Sequence, residues 1–152
     1  MLTHERLRPV ATVFARVSAV CRLLIVAMLV SATACGNEST ALSPPAVNVL
    51  LQQALPNVEG KTFTSQIVDF APGAAAPAHR HGQAFVYAYV LQGSVRSQVD
   101  AGPATTFRQG ENWFENPGAH HVVAANASKT EPAKLLVVYV SATGDSLQTN
   151  DQ

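Results

Sequence analysis

Phe85-Val86-Tyr87-Ala88-Tyr89-Val90-Leu91-Gln92-Gly93 decides the fold of this 152-residue chain. Aromatic and β-branched residues suit a pleated, half-buried surface, and Gly93 closes the run with a residue that takes positive φ at no steric cost. Upstream, Lys61 to Phe70 alternates, with Phe63, Ser65, Ile67 and Asp69 on one face, and stops at Pro72-Gly73. Downstream, Val95–Val99, Thr105–Arg108, Trp113-Phe114, His121–Ala125 and Leu135–Ser141 are short runs of the same kind, separated by Asp100-Ala101-Gly102-Pro103, Gln109-Gly110 and Pro117-Gly118. Only Val47 to Leu55 reads equally as a short helix or a strand, and Pro56 ends it either way. Many short strands at regular intervals with Gly and Pro between them predict an all-β sandwich or barrel.

The N-terminal 35 residues read differently. Arg6, Arg8, Arg16 and Arg22 stand against a single acid, Glu5, and lead into the apolar run Leu23–Val30 and the small residues Ser31-Ala32-Thr33-Ala34 before Cys35. A basic start, a short apolar core and small residues at a cut site are the pattern of an export signal. The apolar run is too short for the roughly 20 residues that span a bilayer. Cleavage before Cys35 resembles a bacterial lipobox, in which the thiol is lipidated and anchors the mature protein to the membrane. Cleavage after Ala34 by ordinary signal peptidase and retention as a helix are the alternatives. The expected organisation is a signal peptide over residues 1–35, a flexible polar tether over 36–45 and one domain over 46–152. The expected location is the bacterial cell envelope, lipid-anchored or periplasmic.

The body carries six Lys and Arg against nine Asp and Glu, so nothing marks a nucleic-acid partner. Both cysteines, Cys21 and Cys35, lie in the head, which leaves the body to hold together by its core without a disulfide. No Ser/His/Asp or Cys/His nucleophile arrangement, phosphate-cradling glycine loop or cofactor fingerprint is present, so chemistry would have to belong to a metal.

Four of the five histidines fall in His79-Arg80-His81 and His120-His121. On an extended segment His79 and His81 share a face and Arg80 turns away, whereas only one of His120 and His121 can join them. The wider spacing, Gly73-x5-His79-x-His81-x4-Val86-x6-Gly93 and then Gly110-x6-Pro117-Gly118-x2-His121-x4-Asn126, resembles the two motifs of the cupin superfamily. Tyr89-Val90-Leu91-Gln92-Gly93 is similar to the run that closes the first motif, and the likeness covers about residues 60–142. It implies a small single-domain cupin, a double-stranded β-helix or jelly-roll barrel holding a metal inside.

Carried over residue by residue, the resemblance names His79, His81 and His121 as ligands of one divalent transition metal: Fe, Mn, Ni, Cu or Zn. It also implies a small-molecule ligand or substrate and pairing into a homodimer. The family's fourth ligand, a glutamate, is missing, because Val86 stands in its place. Gln83, in the turn after His81, and Glu115, before the Pro117-Gly118 turn, are the candidates for a fourth ligand or a supporting position. Phe85, Tyr87 and Tyr89 share the face opposite Val86 and are expected to pack between sheets or at a dimer contact. Three functions follow from the resemblance: a mononuclear-metal, dioxygenase-like enzyme on a small oxygenated organic substrate, an exported metal-dependent binding or sensing module without turnover, or a metal-free shell used for interaction only, against which the three intact histidines count.

Overall fold

A computed structural model describes residues 43–152; Cys35, the expected export signal and most of the expected tether lie outside the described residues. Among the described residues there are eleven strands and no helix: β1 Ala46–Ala54, β2 Lys61–Phe70, β3 Ala75–Ala76, β4 His79–Arg80, β5 Phe85–Gln92, β6 Ser94–Val99, β7 Thr105–Arg108, β8 Asn112–Glu115, β9 His120–Asn126, β10 Ala133–Ala142 and β11 Thr149–Asn150. They form a five-stranded sheet in the order β1-β2-β10-β5-β8 and a second sheet in the order β11-β4-β9-β6-β7, with β3 also paired to β9. Every pairing is antiparallel. Crossing from one sheet to the other along the chain (β5 to β6, β7 to β8, β9 to β10) is the connectivity of a jelly roll.

Period-two alternation builds the core. Strand β10 buries Leu135, Val137 and Tyr139 and turns Leu136, Val138 and Val140 outward, while β5 buries Val86, Ala88 and Val90 and leaves Phe85 exposed. Stacking the two inner faces closes one cluster that also takes in Val68, Phe70, Val95 and Trp113. Each fully buried Val or Leu contributes roughly 1.5–3 kcal/mol, and with no cysteine in the body these terms replace any covalent staple. Phe85 stacks on Phe114 on the outer surface, ring centroids 6.0 Å apart, so Trp113 and not Phe114 lines the interior.

Val47–Leu55, open between helix and strand by pattern, is an edge strand. Among the described residues its only partner is β2, and all nine residues of β1 are exposed, Val47, Val49, Leu50 and Leu51 at half or more of their surface.

Two glycines shape the frame. Gly93 has φ +70°, and a Cβ there would lie 2.5 Å from the Pro132 carbonyl, so a side chain is excluded on both counts. Gly118, at φ +85°, follows Pro117 in the position where a type II turn requires positive φ, and the turn delivers the chain into β9. Asn126, at the end of β9, donates from Nδ2 to the carbonyls of Ala71 and Glu131 and accepts from the Ser128 backbone, which ties the β9–β10 loop to the end of β2.

Candidate metal centre

Backbone pairing brings the histidines together. Strand β4 is laid against β9 so that His79 is the cross-strand partner of His121 and Arg80 of His120. Partners in an antiparallel pair project to the same face. His79 and His121 therefore point inward as Arg80 and His120 point out, and His81, two residues on, points inward again. All three are buried, at 4%, 6% and 5% exposure. Ring centroids are 4.8 Å apart for His79–His81, 4.9 Å for His79–His121 and 6.4 Å for His81–His121, and one ring nitrogen of each lies within 4.8 Å of the others.

Protonation follows from the partners. A carbonyl only accepts, so His79 Nδ1 must donate to the Pro77 carbonyl at 2.7 Å and His81 Nδ1 to the Leu147 carbonyl at 2.6 Å. Each neutral ring is thereby left with a bare Nε2. His121 Nε2 faces the Ser97 hydroxyl at 2.9 Å and its Nδ1 faces Glu115 Oε1 at 3.2 Å. With its proton on Nδ1 it donates to Glu115 Oε1 and accepts from Ser97; with the proton on Nε2 it donates to Ser97 and Nδ1 is bare. Burial pushes all three below the ordinary histidine value, His121 to about 3, where the other two rings lower it further. These are neutral, preoriented imidazoles, the state in which histidine binds a metal.

The carboxylate comes from the opposite sheet. Glu115 ends β8, is 2% exposed, and is the cross-strand partner of Val86 on β5. A carboxylate therefore stands on the same rung of the ladder as Val86, one strand over. Trp113 Nε1 donates to Glu115 Oε1 at 3.3 Å, while Oε2 has no hydrogen-bond partner and lies 3.7 Å from His81 Nε2. Two lone-pair atoms facing each other in a buried site repel unless a proton or a metal cation lies between them. Desolvation raises the Glu115 carboxyl above the ordinary glutamate value, with the Trp113 hydrogen bond and His79 acting the other way. Soft-to-borderline nitrogen donors with one carboxylate and no thiolate suit late first-row divalent ions; this donor set fits the implied metal.

Not every expected residue joins. Gln83 is a correction: the Ala84 amide bonds the His81 carbonyl at 3.0 Å, so residues 81–84 form a tight turn with Gly82 at φ +57°. Gln83 stands at its outer corner, exposed, its amide near Gly118 and not on the cavity wall. Glu115 sits against the histidines themselves and is not a solvated strand-end residue. His120 lies outside, paired to Asp151 at 2.7 Å, and Arg80, Arg96 and Arg108 are exposed.

Four residues went unnoticed in the sequence: Ser97, Leu147, Gln66 and Tyr139. Gln66 Nε2 lies 2.9 Å from the Tyr139 hydroxyl, and the Tyr139 ring is 5.2 Å from His81. A signal for Ser97 was available, since it is a polar group between Val95 and Val99 at the inward parity of β6; Gln66 and Tyr139 share their inward faces with the polar Thr62, Thr64 and Ser141 and stand out less. Leu147 acts through its backbone carbonyl, to which no side-chain pattern points.

The cluster opens on a cavity of about 180 Å³ between the sheets, with Pro44, Pro45, Val47, Gln148 and Asn150 among its lining. Burial of ligand-ready histidines inside a two-sheet β-barrel decides the comparison. The fold is that of a cupin. Residues 66–139 match the family model described as Cupin domain. An uncharacterised conserved protein with a double-stranded β-helix domain from Klebsiella pneumoniae is 21% identical, with 72% of this chain and 86% of that one covered at a TM-score of 0.56. A DMSP lyase, DddQ, from Ruegeria pomeroyi is 18% identical over 70% of this chain and 51% of its own, TM-score 0.57. Recombinant oxalate oxidase in complex with glycolate is 26% identical over 62% and 50%, TM-score 0.52. The match spans about half the length of the last two. No curated protein matches the sequence.

Proposed function

We propose that this cupin is an exported, metal-dependent small-molecule site: His79, His81 and His121 hold one divalent transition metal, and Glu115 is its carboxylate partner. The observation that carries this reading is the buried Glu115 Oε2, which lacks any partner and faces the bare Nε2 of His81. A divalent metal held there supplies Lewis-acid or redox chemistry toward an oxygen-bearing ligand. The chain's own residues do the rest. Pro77, Leu147 and Ser97 fix the three ring orientations, Glu115 offsets one positive charge, and the apolar walls exclude water.

Turnover of a small oxygenated substrate, as in a dioxygenase-like enzyme, is favoured over binding alone by the cavity beside the cluster, which leaves room for a reactant. That likenesses include a lyase and an oxidase agrees with this but names no substrate. Lipid anchoring through Cys35 and pairing into a homodimer complete the proposal.

The test is metal content. The full chain dialysed against zinc is expected to retain close to one ion per molecule, and His81→Ala with His121→Ala to lose it while keeping its β-sheet circular dichroism. Undiminished content in that double variant refutes the assignment.

A further inference from the structure

Gln66 and Tyr139 have no role in holding a metal, yet both point into the cavity. They belong to adjacent strands, β2 and β10, with Gln66 opposite Val137 in the ladder, and both are buried. Among the described residues the only hydrogen-bond partner of the Tyr139 hydroxyl is the Gln66 amide. One contact between two such groups leaves hydrogen-bonding capacity over. With the amide donating to the phenol oxygen, the phenol hydrogen has no acceptor; with the amide turned, the phenol donates and the amide N–H groups are left. Either way the pair presents a free donor on the wall near His81. Burial and the nearby Glu115 carboxylate raise the Tyr139 pKa, so this donor stays neutral.

Charge narrows the ligand further. Among the described residues, Glu115 is the only acidic side chain on the cavity wall, the histidines are neutral, and no lysine or arginine lines it. A divalent ion on three neutral imidazoles and one carboxylate leaves a single positive charge, enough for one anionic group. A second carboxylate would enter a buried site with no counter-charge, which is strongly disfavoured. Around the donor pair the surfaces are Val68, Phe70, Ala88, Leu135 and Val137. The volume, about 180 Å³, suits a compact guest, since a cavity of roughly 150 Å³ holds benzene.

Resting on the metal reading, we infer that the site selects a small monoanion with an apolar body, whose second oxygen accepts a hydrogen bond from the Gln66–Tyr139 pair, and that it rejects dianions. Short monocarboxylates are the simplest members of that class.

The test uses the full chain loaded with cobalt(II), whose visible spectrum reports on its coordination, titrated with butyrate and, separately, with succinate at neutral pH. Butyrate is expected to perturb the spectrum saturably and to bind at least tenfold more tightly than succinate. Tyr139→Phe is expected to leave the cobalt spectrum of the free protein unchanged and to weaken butyrate about tenfold, the scale of a lost hydrogen bond to a charged acceptor. If cobalt gives no coordinated spectrum, the metal reading falls and this one with it. If cobalt binds but succinate matches butyrate, or Tyr139→Phe binds butyrate as well as the parent, this inference alone is overturned.

Discussion

Replacing Glu115 by glutamine separates a metal-binding carboxylate from a merely structural one, because the two predict opposite signs. In the metal-free protein the carboxyl is 2% exposed, its Oε2 is unpartnered, and burial holds its pKa above the ordinary value. Glutamine keeps the acceptor for Trp113 Nε1 and offers an N–H toward the bare Nε2 of His81, the atom 3.7 Å from Oε2. Removing one buried unsatisfied group is worth about 1–2 kcal/mol, which for a domain of this size raises Tm by about 4 °C per kcal/mol. Metal affinity moves the other way: losing the carboxylate costs roughly 10–100-fold, or about 1.4–2.7 kcal/mol. Thermal unfolding in chelator and in excess zinc reads both numbers from one preparation. A swap supplies the control. Glu115→Val should weaken zinc by at least as much as Glu115→Gln, and adding Val86→Glu should restore it to within about tenfold of the parent, since the carboxylate then re-enters from the same rung on the adjacent strand. A metal-free Glu115→Gln protein that melts lower than the parent, with zinc affinity unchanged, refutes the reasoning, as does a swap no better than the single variant.

Three further outcomes are expected. The metal-free protein should lose stability as pH falls from about 6.5 toward 3, because His79, His81 and His121 titrate lower when folded than unfolded, so the unfolded chain binds more protons there. His121 alone, shifted from 6.5 to about 3, amounts to a loss on the order of 5 kcal/mol. Glu115, raised by burial, runs the opposite way, its contribution present at low pH and lost as pH rises through its folded value; urea titrations across that range showing constant or rising stability on acidification would contradict the histidine assignment. Cys35→Ser should move the protein from the membrane to the soluble fraction, and unchanged fractionation would favour a retained helix. Leu51→Lys, on the exposed edge strand β1, should shift a dimer toward monomer in sedimentation velocity without lowering Tm; a parent chain that already sediments as a monomer disposes of the pairing.

What was legible in the sequence was local. Alternation alone puts His79 and His81 on one side and Arg80 on the other, and the same parity separates His120 from His121; the structure keeps all of it. Trp113 and Glu115 likewise share the buried face of β8, with Phe114 exposed between them. What was not legible was register between distant strands. Nothing in residues 79–81 announces that β4 pairs with β9 so that His79 meets His121. The pairing of Val86 with Glu115 is set by a chain that leaves the first sheet, runs through β6 and β7 and returns as β8. Gln83 failed for another reason: in a four-residue turn the corner side chain faces outward, so sequence nearness to His81 misleads. The carbonyl of Leu147 belongs to an irregular segment 66 residues away from the histidine it orients.

The displaced carboxylate has a physical logic of its own. Cross-strand partners in an antiparallel pair face the same side of the sheet, about 5 Å apart. A side chain with two methylenes can reach the same interior point from either backbone position, so the charge can pass from β5 to β8 without leaving the barrel's inner face. Under the proposed metal reading, the centre needs one negative charge at the histidine cluster, not a glutamate at a given place in the chain. A valine at position 86 then fills volume where the carboxylate would otherwise stand, and at 1% exposure it does so inside the core. Read on a single strand, the motif is broken. On the pair of strands, a carboxylate again faces the histidine cluster.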